Sequence, residues 1–203
     1  MKHTATRIVF SYWDRLRGER AAPERGEIEP GEIRHALADT FILELMPGTG
    51  TGLAEIRLAG TRLCALFGGE LRGRRFADLW AEAARGEVEH CIDTVVDETA
   101  GVVAGIVGHT AEGDRLGLEL ILLPLRHRGR TYTRVLGVLS PAQIPPWIGL
   151  RSIAGMEVTG LRVISPPPSP GPGFARPLAP LTPVPVGLAD PRRRFVVHQG
   201  GRA

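Results

Sequence analysis

The sequence has very little lysine and cysteine, and the shortage of cysteine narrows the classes of protein to which it can belong. Lys2 is the only lysine among 25 basic residues, so arginine carries nearly all the positive charge of a chain whose net charge is only +3. Two cysteines, Cys64 and Cys91, are too few for the disulfide framework of a small secreted scaffold. Both lie in apolar periodic segments, where a free cysteine usually acts as a small hydrophobe.

Long apolar runs and catalytic motifs are missing as well. The first residues, MKHTATRIVFSYWDRLRG, lack the apolar stretch of a secretory signal peptide, and no run approaches the ~20 apolar residues that a membrane-spanning helix needs. Closely spaced Cys and His ligands, a G-x-S-x-G elbow and an H-E-x-x-H helix do not occur. The sequence therefore predicts a cytoplasmic, non-catalytic protein that holds no structural metal and contacts no membrane.

Residues 7–17 carry the stripe of an amphipathic helix. Val9, Tyr12, Trp13 and Leu16 follow the i, i+3, i+4 and i+7 spacing of one apolar helix face. Such a stripe either packs on the sheet of its own chain or forms a contact between two copies. The sequence leaves both alternatives open, and the four side chains are the candidate dimer interface.

Alternation of apolar and polar residues, which is typical of β-strands, begins at Thr40. The predicted elements are strands at 40–46 and 53–59, helices at 61–67, 76–80 and 87–98, and strands at 102–110, 116–125 and 131–139. Two strands, a group of helices and three more strands make an α+β pattern. Gly60 and Gly68 lie at predicted helix ends, where a residue that adopts positive φ is favoured.

The composition divides the chain into three parts. Residues 1–39 are predicted as an N-terminal helical extension and residues 40–164 as the α+β domain, with a last ordered piece at 160–164. After Ile164 the chain becomes rich in proline, which neither a helix nor a strand ladder accommodates. Residues 165–203 are therefore predicted as a proline-rich tail with a short basic and apolar C-terminal segment.

One run of residues resembles the signature of PAS domains. The matching positions, in order and spacing, are Leu66-Phe67-Gly68, Glu70-Leu71, Gly73, Phe76, Asp78 and Leu79. The wider pattern, from Tyr12-Trp13 to Leu136–Ser140, is similar to a subfamily of small stand-alone bacterial PAS proteins. The resemblance implies a five-stranded antiparallel sheet with short helices on one face, and dimerisation through the N-terminal helix. It also implies a sensory or protein-interaction module in bacterial signalling that acts on a partner in trans.

The resemblance also implies a groove between the sheet and the helices, in which related proteins hold haem, flavin, small acids or nothing. The inward faces of the predicted elements place Cys91, Val95, Ile106 and Leu120 there. No cofactor is recognisable, since the histidines fall at exposed or charged positions and neither cysteine has the neighbours of a flavin-reactive one. Haem and flavin are therefore not expected. A small enzyme that uses the groove as its active site remains an alternative.

Arginines gather in two predicted loops. The first loop contains Arg72, Arg74 and Arg75, and the second contains Arg128 and Arg130. Guanidinium groups in these loops could hold a phosphate or an acidic partner, and a nucleotide-binding regulator is a second alternative function. They could equally serve only solubility at an exposed surface. Nucleic-acid binding is not predicted, because the positive charge is spread over the chain and no helix-turn-helix is recognisable.

Overall fold

The computed structural model describes residues 1–45, 54–127 and 130–164, and over these ranges one antiparallel sheet organises the chain. Its strands are β1 (Thr40–Leu45), β2 (Ala54–Ala59), β3 (Gly101–Thr110), β4 (Arg115–His127), β5 (Arg130–Pro141) and β6 (Ile153–Ile164). Their spatial order is β2-β1-β5-β4-β3-β6, and every neighbouring pair is antiparallel. The described residues belong to one compact unit.

Three α-helices lie in the described part of the chain. They are α1 (Thr4–Arg17), α2 (Thr61–Leu66) and α3 (Arg85–Asp97). Short 3₁₀ turns connect these elements, at Arg25–Glu27, Pro30–Ile33, Leu37–Asp39, Phe76–Leu79 and Glu82–Ala84. The predicted α+β class and PAS-like architecture are confirmed, and the predicted strands and helices are present to within a few residues. None of the described helices is both long and apolar enough to cross a membrane.

The sheet is covered on both faces. On one face α2 and α3 pack with the 3₁₀ turns around a core that includes Leu120 and Leu122 of β4. On the other face α1 packs with the 3₁₀ turns that follow it, around a core that includes Ile121 and Leu123. Because β4 is buried on both sides, its sequence is a nearly continuous apolar run rather than an alternating one.

The residues of the candidate dimer interface pack against the sheet of their own chain. Val9, Tyr12 and Trp13 are buried, and Leu16 packs against the same cluster. The Trp13 indole N–H donates a hydrogen bond to the Pro124 carbonyl at 2.8 Å. The structure thus shows the first of the two alternatives, in which the stripe packs on its own sheet. The assignment of Val9, Tyr12, Trp13 and Leu16 to a contact between two copies is corrected accordingly.

The sheet has a sixth strand where the sequence predicts only a short ordered piece. β6 begins at Ile153, seven residues before the predicted start at Gly160, and pairs with β3 along its length. The register shifts between His109 and Thr110, so Ile153 and Met156 are both buried although they are three residues apart. Such a bulge breaks the period-2 pattern by which a strand is predicted.

Candidate functional site

The four predicted groove residues do meet between α3 and the sheet. Cys91 and Val95 lie on the inward face of α3, while Ile106 of β3 and Leu120 of β4 lie opposite them in the same buried cluster. Burial, together with the nearby Glu87 carboxylate, raises the pKa of the Cys91 thiol to about 11. The thiol therefore stays protonated at neutral pH and is a poor nucleophile.

Aromatic side chains fill a large part of this cluster. Phe41 stacks on Phe76 with ring centroids 5.1 Å apart, and Trp80 meets Phe76 edge-on at 5.8 Å. The cluster's buried residues are all apolar, and the Trp80 indole N–H has no hydrogen-bond partner among the described residues. Among its described residues, the cluster supplies no histidine to ligate haem and, apart from that indole and the Cys91 thiol, no hydrogen-bonding side chain for a flavin ring. These residues do not fit either cofactor.

The first arginine loop closes one edge of the sheet. Gly73 donates its backbone N–H to the Ile56 carbonyl at 2.7 Å, and Ile56 donates to the Arg74 carbonyl at 2.9 Å. The backbone of this loop therefore covers the outer edge of β2 at Ile56, while Arg72, Arg74 and Arg75 are exposed. Arg128 and the side chain of Arg130 lie outside the described residues, so the anion-binding role of the second loop stays a prediction.

A cavity of about 380 Å³ lies on the α1 face of the sheet, beside β1 and β2. We call it the α1-side cavity. Its large apolar lining residues are Ile28, Ile33, Leu37, Ile42, Leu58 and Leu136, and Arg25 is its one charged lining residue among those described. Two cavities of about 450 and 210 Å³ adjoin it and share Arg25. The sequence does not predict this site, because residues 19–30 are recognisable in the sequence only as a charged connector.

A buried carboxylate on β4 anchors the start of α1, and the sequence analysis also missed it. Glu119 accepts hydrogen bonds from the backbone N–H groups of Lys2, at 2.7 Å, and His3, at 3.0 Å, and from the Thr6 hydroxyl. Burial alone would raise the pKa of Glu119, but these hydrogen bonds outweigh it and hold the pKa below its usual range. The sequence feature that indicates a buried carboxylate is the single acidic residue within the apolar run of residues 116–125.

A second buried carboxylate lies at the end of the segment before β1. Asp39 pairs with Arg62 at 2.6 Å, and its other oxygen has no hydrogen-bond partner among the described residues. Burial raises the pKa of Asp39 in spite of the Arg62 guanidinium. Across the described ranges, no group of three or more His, Cys, Asp and Glu side chains is arranged to hold a metal ion.

Comparison with known proteins gives one family match. A family model described as "PAS domain" matches residues 1–140. No curated protein matches the chain.

Solved structures of similar fold are light-oxygen-voltage (LOV) proteins. A domain studied with a flavin analogue is 14% identical, with 56% of this chain and 83% of that one covered and a TM-score of 0.44. The dark structure of the blue-light photoreceptor Aureochrome1 LOV is 16% identical, with 55% and 80% covered and a TM-score of 0.42. An RNA-binding LOV receptor is 20% identical, with 59% and 35% covered and a TM-score of 0.43. Likeness at this level carries no argument about function.

Proposed function

The chain belongs to the PAS domain family, and from this premise we propose that it is a non-catalytic sensory or interaction module acting on a protein partner in trans. Its place is bacterial signalling in the cytoplasm. PAS domains in general are sensory or interaction modules. The observation that carries the proposal is the outer edge of β6, which no described residue covers from Glu157 to Ile164.

The two edges of the sheet differ in how they are covered. The edge strand β2 is covered at Glu55 and Ile56 by the backbone of the loop at 73–75. On β6, the Met156 carbonyl accepts a hydrogen bond from Ala81 at 3.0 Å. From Glu157 to Ile164, no described residue donates to or accepts from the outer edge of the strand. Natural proteins usually protect edges, so an open one supports a binding role.

Apolar side chains accompany this open edge. Leu161 and Val163 are 45% and 42% exposed. They pair with Ala104 and Val102 of β3, so both lie on the α3 face of the sheet. An extended segment of a partner that adds to β6 would gain main-chain hydrogen bonds from the edge and apolar contacts from these two side chains. The proposed occupant is therefore a β-strand of another protein with alternating apolar residues.

The non-catalytic part of the proposal is supported by the buried cluster between α3 and the sheet. Its buried side chains are apolar, and the thiol of Cys91 has a raised pKa. General acid–base chemistry needs a titratable group poised near neutral pH within reach of a substrate. The buried cluster contributes none.

Charges placed on the open edge are expected to abolish the partner contact. A double variant, Leu161→Glu with Val163→Glu, should fold normally because both side chains are exposed, and should bind the purified partner at least about tenfold more weakly. The partner is found by crosslinking in the native cell, and its affinity is measured by calorimetry. Leu150→Glu is the matched control, since Leu150 is 85% exposed and lies outside the six strands.

Three results would contradict this edge as the partner site. The first is equal partner affinity for the double variant and the Leu150 control. The second is self-association of the wild-type chain that the double variant loses, which would make a second copy the occupant. The third is an unchanged partner affinity after removal of residues 165–203 together with faster amide hydrogen exchange along β6, which would make the chain's own tail the occupant.

A further inference from the structure

The α1-side cavity combines an apolar interior with a basic rim. The interior is built on a row of three side chains that crosses the sheet, since Ile42 pairs with Leu58 in β2 and with Leu136 in β5. Ile28 and Ile33, from the segment between α1 and β1, form the opposite wall. At about 380 Å³ the cavity falls within the range of small-molecule sites.

Polar groups of Thr40 and Gly60 in the wall are already paired. The Thr40 hydroxyl donates to the Ala36 carbonyl at 2.8 Å, and the Gly60 N–H donates to the Thr40 carbonyl at 2.8 Å. A polar ligand body would leave its own groups without partners there, at a cost in free energy. The interior therefore favours an apolar body over a sugar or a nucleobase.

The rim carries an excess of positive charge. Arginines Arg25, Arg57, Arg72 and Arg134 line the α1-side cavity and its two neighbours, and Glu24 is the one carboxylate among the described lining residues. Arg57 and Arg134 share the Glu44 carboxylate, so two positive charges face one negative charge. The rim thus attracts an anion.

Arg25 is the residue best placed to bind that anion. It is half-buried and lines all three cavities. No ion pair joins its guanidinium to a carboxylate within the described ranges. A partly desolvated guanidinium without a counter-ion is unfavourable, and a carboxylate would satisfy it through two parallel hydrogen bonds.

Leu58 links the interior to the rim. Its side chain is 49% exposed, although it lines both the α1-side cavity and the neighbouring one that contains Arg57 and Arg72. Leu58 is thus a half-exposed aliphatic side chain between a cavity and three arginines. This arrangement suits a ligand that has an apolar body and an anionic end. A ligand that covers Leu58 would remove its side chain from water, and this burial would stabilise the bound state.

We propose that the α1-side cavity binds an amphipathic monocarboxylate, such as a medium-chain fatty acid, with the apolar body between Ile33 and Leu136 and the carboxylate on Arg25. The site lies on the opposite face of the sheet from the buried cluster around α3. It goes beyond the proposed partner contact at β6 and does not depend on it. The two are tested with different ligands and different variants, so the failure of one leaves the other standing.

Calorimetric titration of the full chain with decanoate tests the proposal. Decanoate should bind saturably, and decanol, which has the same chain without the charge, should bind at least about tenfold more weakly. Arg25→Met should reduce the affinity for decanoate to that for decanol. The matched control is Arg74→Met, because Arg74 is exposed and lines none of these three cavities.

A second variant tests the site without changing Arg25, so that an indirect structural effect of Arg25→Met can be recognised. Leu58→Asp places a negative charge at the rim on a half-exposed position, so the chain should fold with an unchanged circular dichroism spectrum. Its affinity for decanoate should also fall at least about tenfold. The proposal is overturned if decanoate gives no saturable heat, if decanol binds as tightly as decanoate, or if Arg74→Met weakens binding as much as Arg25→Met.

Discussion

Gly60→Ala is expected to lower the free energy of unfolding by about 3 kcal/mol or more, because the added methyl group has no space. A Cβ atom at this position would lie 2.1 Å from the Leu37 carbonyl oxygen and 2.4 Å from that of Ala38. Both are backbone atoms, which cannot rotate away as a side chain can. The hydrogen bond from the Gly60 N–H to Thr40, at 2.8 Å, also holds the two segments together.

The same chemical change at Gly86 provides the control. Gly86 lies in the first turn of α3, is exposed, and has no atom within 4 Å of an added Cβ. Gly86→Ala should therefore raise the free energy of unfolding slightly, since alanine favours a helix over the unfolded chain. Urea unfolding of both variants measures the difference. Equal stability of Gly60→Ala and Gly86→Ala would show that the approach to Leu37 is not as close as the structure has it.

The two glycines at predicted helix ends show which backbone features can be predicted from a sequence and which cannot. Gly68 adopts a φ of 73°, as predicted for a residue that ends a helix. Gly60 has a φ of −71°, which any residue adopts, and is needed for the close approach of Leu37 instead. Positive φ is a local property that turn chemistry encodes. A close approach between segments is set by the packing of the whole domain and leaves no local pattern.

The N-terminal helix illustrates a related limit. The spacing of its apolar residues predicts the end of α1 to the residue and its start to within three residues, because a helix stripe is local. What the stripe packs against depends on the sheet. One signal was present in the sequence: the apolar run of residues 116–125 is typical of a strand buried on both faces, and such a strand needs a second layer. α1 is part of that layer.

The candidate sites were predictable to different degrees. Cys91, Val95, Ile106 and Leu120 come from elements with clear periodicity, so their meeting in one cluster could be predicted. Whether they hold a ligand or only a core depends on packing, which the period does not describe. The α1-side cavity was not predictable, because its row of Ile42, Leu58 and Leu136 joins three strands that are distant in sequence.

Glu119→Gln is expected to lower the free energy of unfolding by about 2–3 kcal/mol at neutral pH. The carboxylate accepts hydrogen bonds from Lys2, His3 and Thr6 with both of its oxygens available. An amide keeps one acceptor oxygen and turns its NH₂ group towards the part-buried Lys2 N–H, which loses the shorter of its two hydrogen bonds and faces another donor instead. Because these contacts hold the first turn of α1, the loss should also increase solvent quenching of the fluorescence of Trp13.

The pH dependence of this effect separates an ionised carboxylate from a merely well-packed side chain. Because the folded-state pKa of Glu119 lies below its usual range, its stabilisation is fully present above the ordinary glutamate pKa and is lost as the pH falls through the lower, folded-state pKa. The stability difference between wild type and Glu119→Gln should therefore be constant near neutral pH and shrink below about pH 4. Urea unfolding at several pH values measures it, with Glu98→Gln, an exposed acid, as the control. A difference that persists unchanged into acid, or one no larger than that of Glu98→Gln, would mean that the charge of Glu119 does not anchor α1.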